Sequence, residues 1–254
     1  MTHINSPVSI INPNGTSDWL LVCEHASADV PDTLDRLGLT EQFFKQHIAY
    51  DIGAYEATLA LSKKLNATAI VCHYSRLVID CNRPLNAPDC IPATSDGVAI
   101  PGNTHLSTQA RLWRINEIYW PFHFCVAQVL GQKLTQNPKT KFANIHSFTP
   151  MLVVEQLQRP WDIGFIYRDA QPTTAITQYL RNNTPYLVGD NEPYDGYIHK
   201  GYTVPAHADA QMVPNFLVEF RQDHINTASG VEHWTDVLCD AIIQTSDYTN
   251  SHSL

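Results

Sequence analysis

Short apolar runs that stop at polar residues, separated by stretches of helical period, constrain this chain more than any other feature. Residues 19–23 read Trp-Leu-Leu-Val-Cys and end at Glu24-His25. Comparable strand-like runs cover 69–72, 142–145 before His146, 163–167 and 216–220, and 77–79 is a further candidate. Helical spacing fills the intervals at 41–65, 108–134, 172–182 and 230–245. The first of these patterns is expected to break near Gly53, and the second to kink at Pro121, which lacks a backbone donor. Strands alternating with helices predict an α/β sandwich with a mostly parallel sheet. Residues 1–17, with Pro7, Pro13 and Gly15, are expected to form a loose arm before one domain spanning 1–254. Residues 84–107 and 189–213 read as long polar loops, and loops of that length inside a compact domain usually carry function.

Composition narrows the partners. A formal net charge of −9 without a basic stripe argues against a nucleic-acid backbone. No run approaches the roughly 18 apolar residues that span a bilayer, and no basic segment with an apolar continuation reads as a secretory signal. The six cysteines form no Cys-x-x-Cys pair. They read as reduced, mostly buried thiols of a cytoplasmic protein. Glycine-rich phosphate loops, a Gly-x-Ser-x-Gly elbow and a His-Glu-x-x-His helix are all absent from the sequence. An acidic chain can still bind a small acidic substrate, through a local cluster of arginines.

The polar residues at the predicted strand ends supply the candidates, because ligands of open α/β sheets bind beyond the carboxyl ends of the strands. His25, His146 and one carboxylate would fill three positions around a catalytic zinc and leave the fourth for water. Asp51 is one candidate for that carboxylate and Glu24 the other. Glu219 would serve as general base. Each has a plainer explanation. A histidine after a strand is more often hydrogen-bonded scaffold than ligand, and Asp51 fits a helix-start acid. Glu219 is harder to dismiss, since an unpaired carboxylate in an apolar strand is costly; Arg221, on the same strand face, would be its structural partner. In the stretch Ser75–Pro84, Arg76 and Arg83 flank an apolar segment. They read either as a clamp for an acidic substrate or as partners of Asp80. His123, after Pro121, and His207, in a polar loop, are further candidates with solvated or core-edge alternatives.

Several short segments together resemble the N-formylglutamate amidohydrolase family. They are Cys23-Glu24-His25-Ala26-Ser27, the stretch His47 to Ala54, Ser75-Arg76-Leu77 leading to Asp80-Cys81-Asn82-Arg83-Pro84, Ile100-Pro101-Gly102-Asn103, Arg111 with Arg114, Pro121-Phe122-His123, His146-Ser147-Phe148-Thr149-Pro150, Asp162-Ile163-Gly164, Gly189 to Tyr194, and Glu219-Phe220-Arg221-Gln222-Asp223. They run in order from about residue 18 to 245. The resemblance extends to zinc carboxypeptidases and aspartoacylase-like deacylases. It implies a three-layer α/β/α sandwich of phosphorylase/hydrolase-like type, with a mostly parallel mixed sheet. It also implies one Zn2+ held by His25 and His146, Glu219 activating water, and Arg76 polarising the scissile carbonyl. Asn82 and Arg83 would hold the substrate α-carboxylate; Arg111, Arg114 and His207 are open candidates for a second, side-chain carboxylate, and His123 is a further substrate-binding candidate. The glutamate that follows the first histidine by three residues in the carboxypeptidases is replaced here by Ala28, so the third ligand is Asp51 or Glu24. The expected reaction is hydrolysis of an N-acyl acidic amino acid such as N-formyl-L-glutamate. The rivals are a deacylase or peptidase with another substrate, and a metal-free binding protein on the same scaffold.

Overall fold

A computed structural model describes residues 5–168, 173–196 and 201–246. Seven strands form one mixed sheet in the order β1-β3-β2-β6-β9-β7-β8. They are β1 (Val8–Ile11), β2 (Trp19–Cys23), β3 (Thr68–Cys72), β6 (Lys141–Phe148), β7 (Ile163–Ile166), β8 (Val188–Asp190) and β9 (Asn215–Arg221). A two-stranded hairpin, β4 (Thr94–Ser95) with β5 (Val98–Ala99), lies outside it. The β3-β2-β6-β9 block is parallel, as is the β7–β8 pair. Antiparallel pairing occurs at β1–β3 and β7–β9.

Both faces are covered, which makes three layers. One face packs Leu21, Cys23, Ala143, Ile145, Phe216 and Val218 under helices α1 (Ala54–Leu65), α4 (Thr173–Asn183) and α5 (Ala228–Gln244). The other packs Leu20, Val22, Ile70 and Phe142 under Phe122, Val126 and Leu130 of α3 (Trp120–Gln136), which follows α2 (Thr108–Arg114). Full coverage explains why these strands read as continuous apolar runs instead of alternating. It also explains the polar insertions. Asn144 and His146 lie on β6 at the same parity as Phe142, and Glu219 follows Leu217 by two on β9. All therefore belong to the α3 face near the carboxyl ends of the parallel strands.

Several expectations change. Residues 1–17 are not wholly a loose arm, because Val8–Ile11 zips onto Cys72–Ala69 as an edge strand; the Val-Ser-Ile-Ile run is short, half-buried and hidden between prolines. Helix 41–65 is realised only from Ala54, where Gly53 adopts φ +79° ahead of the first turn; residues Glu41–Lys45 form a 3-10 segment instead. Residues 77–79 are no strand. They enter the core through a tight turn, with the Val78 amide donating to Ser75 O at 2.9 Å. Ahead of Pro121 the helix widens into a π turn at Ile115–Tyr119, a common accommodation of a missing backbone bond. His146 and Glu219 sit two residues inside their strands, which run on to Phe148 and Arg221. Loop 189–213 contains a helical turn at Val204–Ala208; its residues 197–200, and residue 172 of the expected helix 172–182, lie outside the described residues.

Candidate active site

His25, Asp51 and His146 meet in one buried cluster, their ligand atoms all within 4.8 Å of one another. The chain turns as it leaves β2, so His25 reaches sideways while Glu24 continues the α3 face. Asp51 arrives from the loop before α1, its amide donating to His25 O at 3.0 Å. Both imidazoles turn Nδ1 toward the same oxygen: His146 Nδ1 is 2.6 Å and His25 Nδ1 3.3 Å from Asp51 Oδ2. The opposite ring nitrogens are held. His25 Nε2 donates to Asp80 Oδ1 at 2.7 Å, and His146 Nε2 lies 3.2 Å from Asn144 Oδ1 and 3.5 Å from Glu24 Oε1. Glu24 is itself fixed by Asn144 Nδ2 at 2.6 Å. This is the outer-shell pattern that fixes the tautomer of a metal-binding histidine.

Arg76 bridges the remaining oxygens, Asp51 Oδ1 at 3.2 Å and Asp80 Oδ2 at 3.0 Å. The turn at 76–78 makes this possible by bringing Arg76 and Asp80 to one side. Directly across the β6–β9 ladder from His146 stands Glu219. Among the described residues its Oε2 is buried without a hydrogen-bond partner.

The electrostatics follow from burial and crowding. Burial pushes Glu219 up to about 7, assisted by Asp51 and resisted by His146, His25 and Arg76. Burial also opposes charge on Glu24, yet His146 and His25 hold it near 2. Desolvation and Arg76 disfavour a charged His25, but Asp80 and Asp51 raise it; Glu24 and Asp51 overcome burial to raise His146 well above the usual range. Asp51 and Asp80 are depressed against their burial, chiefly by His25. Glu24, Asp51, Asp80 and Glu219 are thus four buried carboxylates of one centre, and among the described residues the permanent cation that pairs with any of them is Arg76, through Asp51 and Asp80. With both histidines neutral the cluster carries excess negative charge, and two Nδ1 lone pairs plus Asp51 Oδ2 converge. That donor set fits a divalent cation.

The other sequence candidates distribute around this centre. Asn82 lies against His146, Nδ2 to Nε2 at 3.5 Å, and its carbonyl accepts the Tyr202 and Thr203 amides at 2.7 and 3.1 Å. It also lines an open cleft with Tyr167, Arg168, Asp209 and Leu217. Arg83 feels the charge of Asp80 but donates from Nε to Asp89 at 2.6 Å. Arg111 donates to Leu85 O. Arg114 is buried, with Val78 O, Asn103 Oδ1 and Gly102 O as acceptors. His123 and His207 stack on each other, His123 Nδ1 2.9 Å from His207 Nε2 and His123 Nε2 3.0 Å from Cys81 O. No direct contact joins either to the His25–His146 cluster among the described residues. Arg221 pairs with Asp162 and Asp223, not with Glu219. Two members of the centre escaped the sequence reading. In the sequence Asp80 reads only as an arginine partner, and Asn144 does not stand out, although a polar residue two positions before His146 on a buried strand shares its face.

Fold and site together define an α/β protein of hydrolase-like architecture with a candidate metal centre of two histidines and a carboxylate. The chain belongs to the N-formylglutamate amidohydrolase family, whose model matches residues 17–226. A gene product of Agrobacterium tumefaciens shares 30% identity at a TM-score of 0.89, covering 95% of this chain and 97% of that one. The N-formylglutamate amidohydrolase of Ralstonia eutropha superposes at a TM-score of 0.66 with 17% identity, covering 97% and 99%, and supports the fold. No curated protein matches. Among the described residues no helix is long and apolar enough to cross a membrane.

Proposed function

We propose that this protein is a zinc-dependent amidohydrolase that cleaves an N-acyl acidic amino acid, with N-formyl-L-glutamate as the substrate of choice. The observation that carries the reading is Glu219, a buried carboxylate with one bare oxygen and a raised pKa, set beside the His25–Asp51–His146 donor set. His25 and His146 through Nδ1 and Asp51 through Oδ2 would hold the zinc, with Asp80 and Asn144 orienting the rings. When bound there, the metal supplies Lewis-acid activation of water near neutral pH.

Glu219 takes a proton from the attacking water and returns it to the amide nitrogen as the C–N bond breaks, giving formate and glutamate. Arg76, anchored by Asp51 and Asp80, presents its guanidinium to the carbonyl oxygen as charge develops there, an interaction whose removal costs roughly 3–4 kcal/mol in comparable sites. Arg83 and Asn82 hold the substrate α-carboxylate, Arg83 exchanging its exposed partner Asp89 for the ligand.

The test is elemental analysis of protein purified without chelator, beside an assay of N-formyl-L-glutamate hydrolysis. About one zinc per chain, with activity removed by chelator and restored by zinc, is the expected result. Absence of both metal and turnover after zinc addition would overturn the reading in favour of a metal-free binding protein. Zinc-dependent cleavage of other acyl groups alone would favour the deacylase reading.

A further inference from the structure

Arg159 is only 5% exposed, and its surroundings differ from those of the buried Arg114 and the partly exposed Arg76. Arg76 faces two carboxylates, and Arg114 faces three acceptors. Among the described residues no carboxylate lies within ion-pair distance of Arg159. Its guanidinium donates from one terminal nitrogen to Tyr194 Oη at 2.9 Å and lies over the Tyr194 ring, 4.7 Å from the centroid. Its Nε–H is buried without a partner. A guanidinium cannot shed its proton to escape this cost, and burying a charge without a counter-ion is expensive. A buried arginine in that condition, stacked and oriented by an aromatic ring, is organised for an anion that arrives from outside.

Its location is equally specific. Arg159 lies in the connection between β6 and β7, its amide donating to Pro150 O at 2.8 Å. Tyr194 comes from the turn after β8. Gly164 and Gly189 bring that turn close: a Cβ at either would stand 1.9 Å or 2.8 Å from Glu192 O. Gly164 is also the register partner of Glu219. The Tyr194 phenol senses the charges of both Glu219 and Arg76, so it stands at the edge of the same centre. Arg168, also near this side, already has Asp209 at 3.7 Å.

We propose that Arg159, oriented by Tyr194, is the specificity-determining cation of this site, receiving a second carboxylate of the substrate and so selecting N-acyl amino acids with acidic side chains. The inference rests on the amidohydrolase reading for the substrate class, while the anion site itself rests on Arg159 and Tyr194. The planar fork matches a carboxylate through Nε and one terminal nitrogen.

The experiment compares zinc-loaded wild-type protein, Arg159→Met and Arg159→Lys on N-formyl-L-glutamate and its uncharged isostere N-formyl-L-glutamine. Calorimetric titration with L-glutamate and L-glutamine accompanies it, and unfolding temperatures check that each variant is folded. The wild type is expected to prefer the diacid. Arg159→Met should lower kcat/KM for N-formyl-L-glutamate about 100-fold, through KM, and leave N-formyl-L-glutamine within about threefold. Arg159→Lys should recover part of the loss. Equal loss on both substrates in a folded variant, or a wild type indifferent to the side-chain charge, would overturn the subsite and leave the amidohydrolase reading standing. A wild type that cleaves neither compound but binds L-glutamate over L-glutamine through Arg159 would overturn that reading and keep the subsite. Failure of both turnover and selective binding would remove the two together.

Discussion

Glu219 and His146 are register partners across the parallel β6–β9 pair, so a candidate base and a candidate metal ligand are held by backbone hydrogen bonds at one rung of the sheet. No flexible loop sets their separation. The rigidity suits a group whose work depends on the placement of a proton.

Replacing that base should separate chemistry from metal binding. Glu219→Gln is expected to lower kcat by roughly 100- to 10,000-fold while metal content by elemental analysis stays at the wild-type level. Loss of metal in the variant would instead make Glu219 a ligand.

The pH dependence of turnover has a definite sign. Burial lifts Glu219 to about 7, and the base works only when deprotonated, so kcat/KM should fall as pH drops. A cation bound beside it would pull that value back down, which sets the acid limb below about 7. A rate profile flat from pH 7 to about pH 5 would contradict a Glu219 base.

Asp80 is predicted to matter through His25. Asp80→Asn removes the carboxylate 2.7 Å from His25 Nε2 and leaves the ring weakly oriented. Zinc affinity measured with a competing chelator should fall about 10- to 100-fold, the usual cost of losing such a partner, and the fold should persist. Unchanged affinity would mean that Asp80 serves only Arg76.

The His123–His207 stack should make the fold acid-sensitive. Burial holds His123 down near 3 and His207 near 4, against about 6.5 in an unfolded chain. Between these values the unfolded chain binds protons that the folded one refuses. This contribution to stability is therefore intact above about pH 6.5 and declines as pH falls toward 4. Thermal unfolding at about pH 7 and about pH 5 checks it. His207→Gln keeps a donor for His123 Nδ1 and should shrink the difference; an undiminished difference would shift the cause elsewhere.

Gly53 offers a backbone test. It has φ +79°, and a Cβ there would stand 2.2 Å from Ile225 O. Gly53→Ala should cost at least about 2 kcal/mol through strain and collision, lowering Tm by several degrees. Tolerance would imply that the Gly53 turn and the Ile225 segment can separate.

Much of this protein is legible in its sequence for one reason: local patterns report local geometry. The apolar runs at Trp19–Cys23 and Asn215–Arg221 mark strands because two covered faces leave no room for polar residues, and polar exceptions such as His146 and Glu219 then stand out. Spacing alone does not register the short edge strand Val8–Ile11, which exists because β3 offers it a partner. Nor does it decide between a turn and a strand at 77–79, where buried apolar residues suit both. The tertiary structure alone brings Asp51 to both histidines across 26 and 95 residues of chain. It also gives Arg76 two carboxylates and, among the described residues, leaves Arg159 with a tyrosine instead of one. Residue types state which groups are available for chemistry. Their charges, partners and protonation are set by which segments the fold packs together and how completely it excludes water.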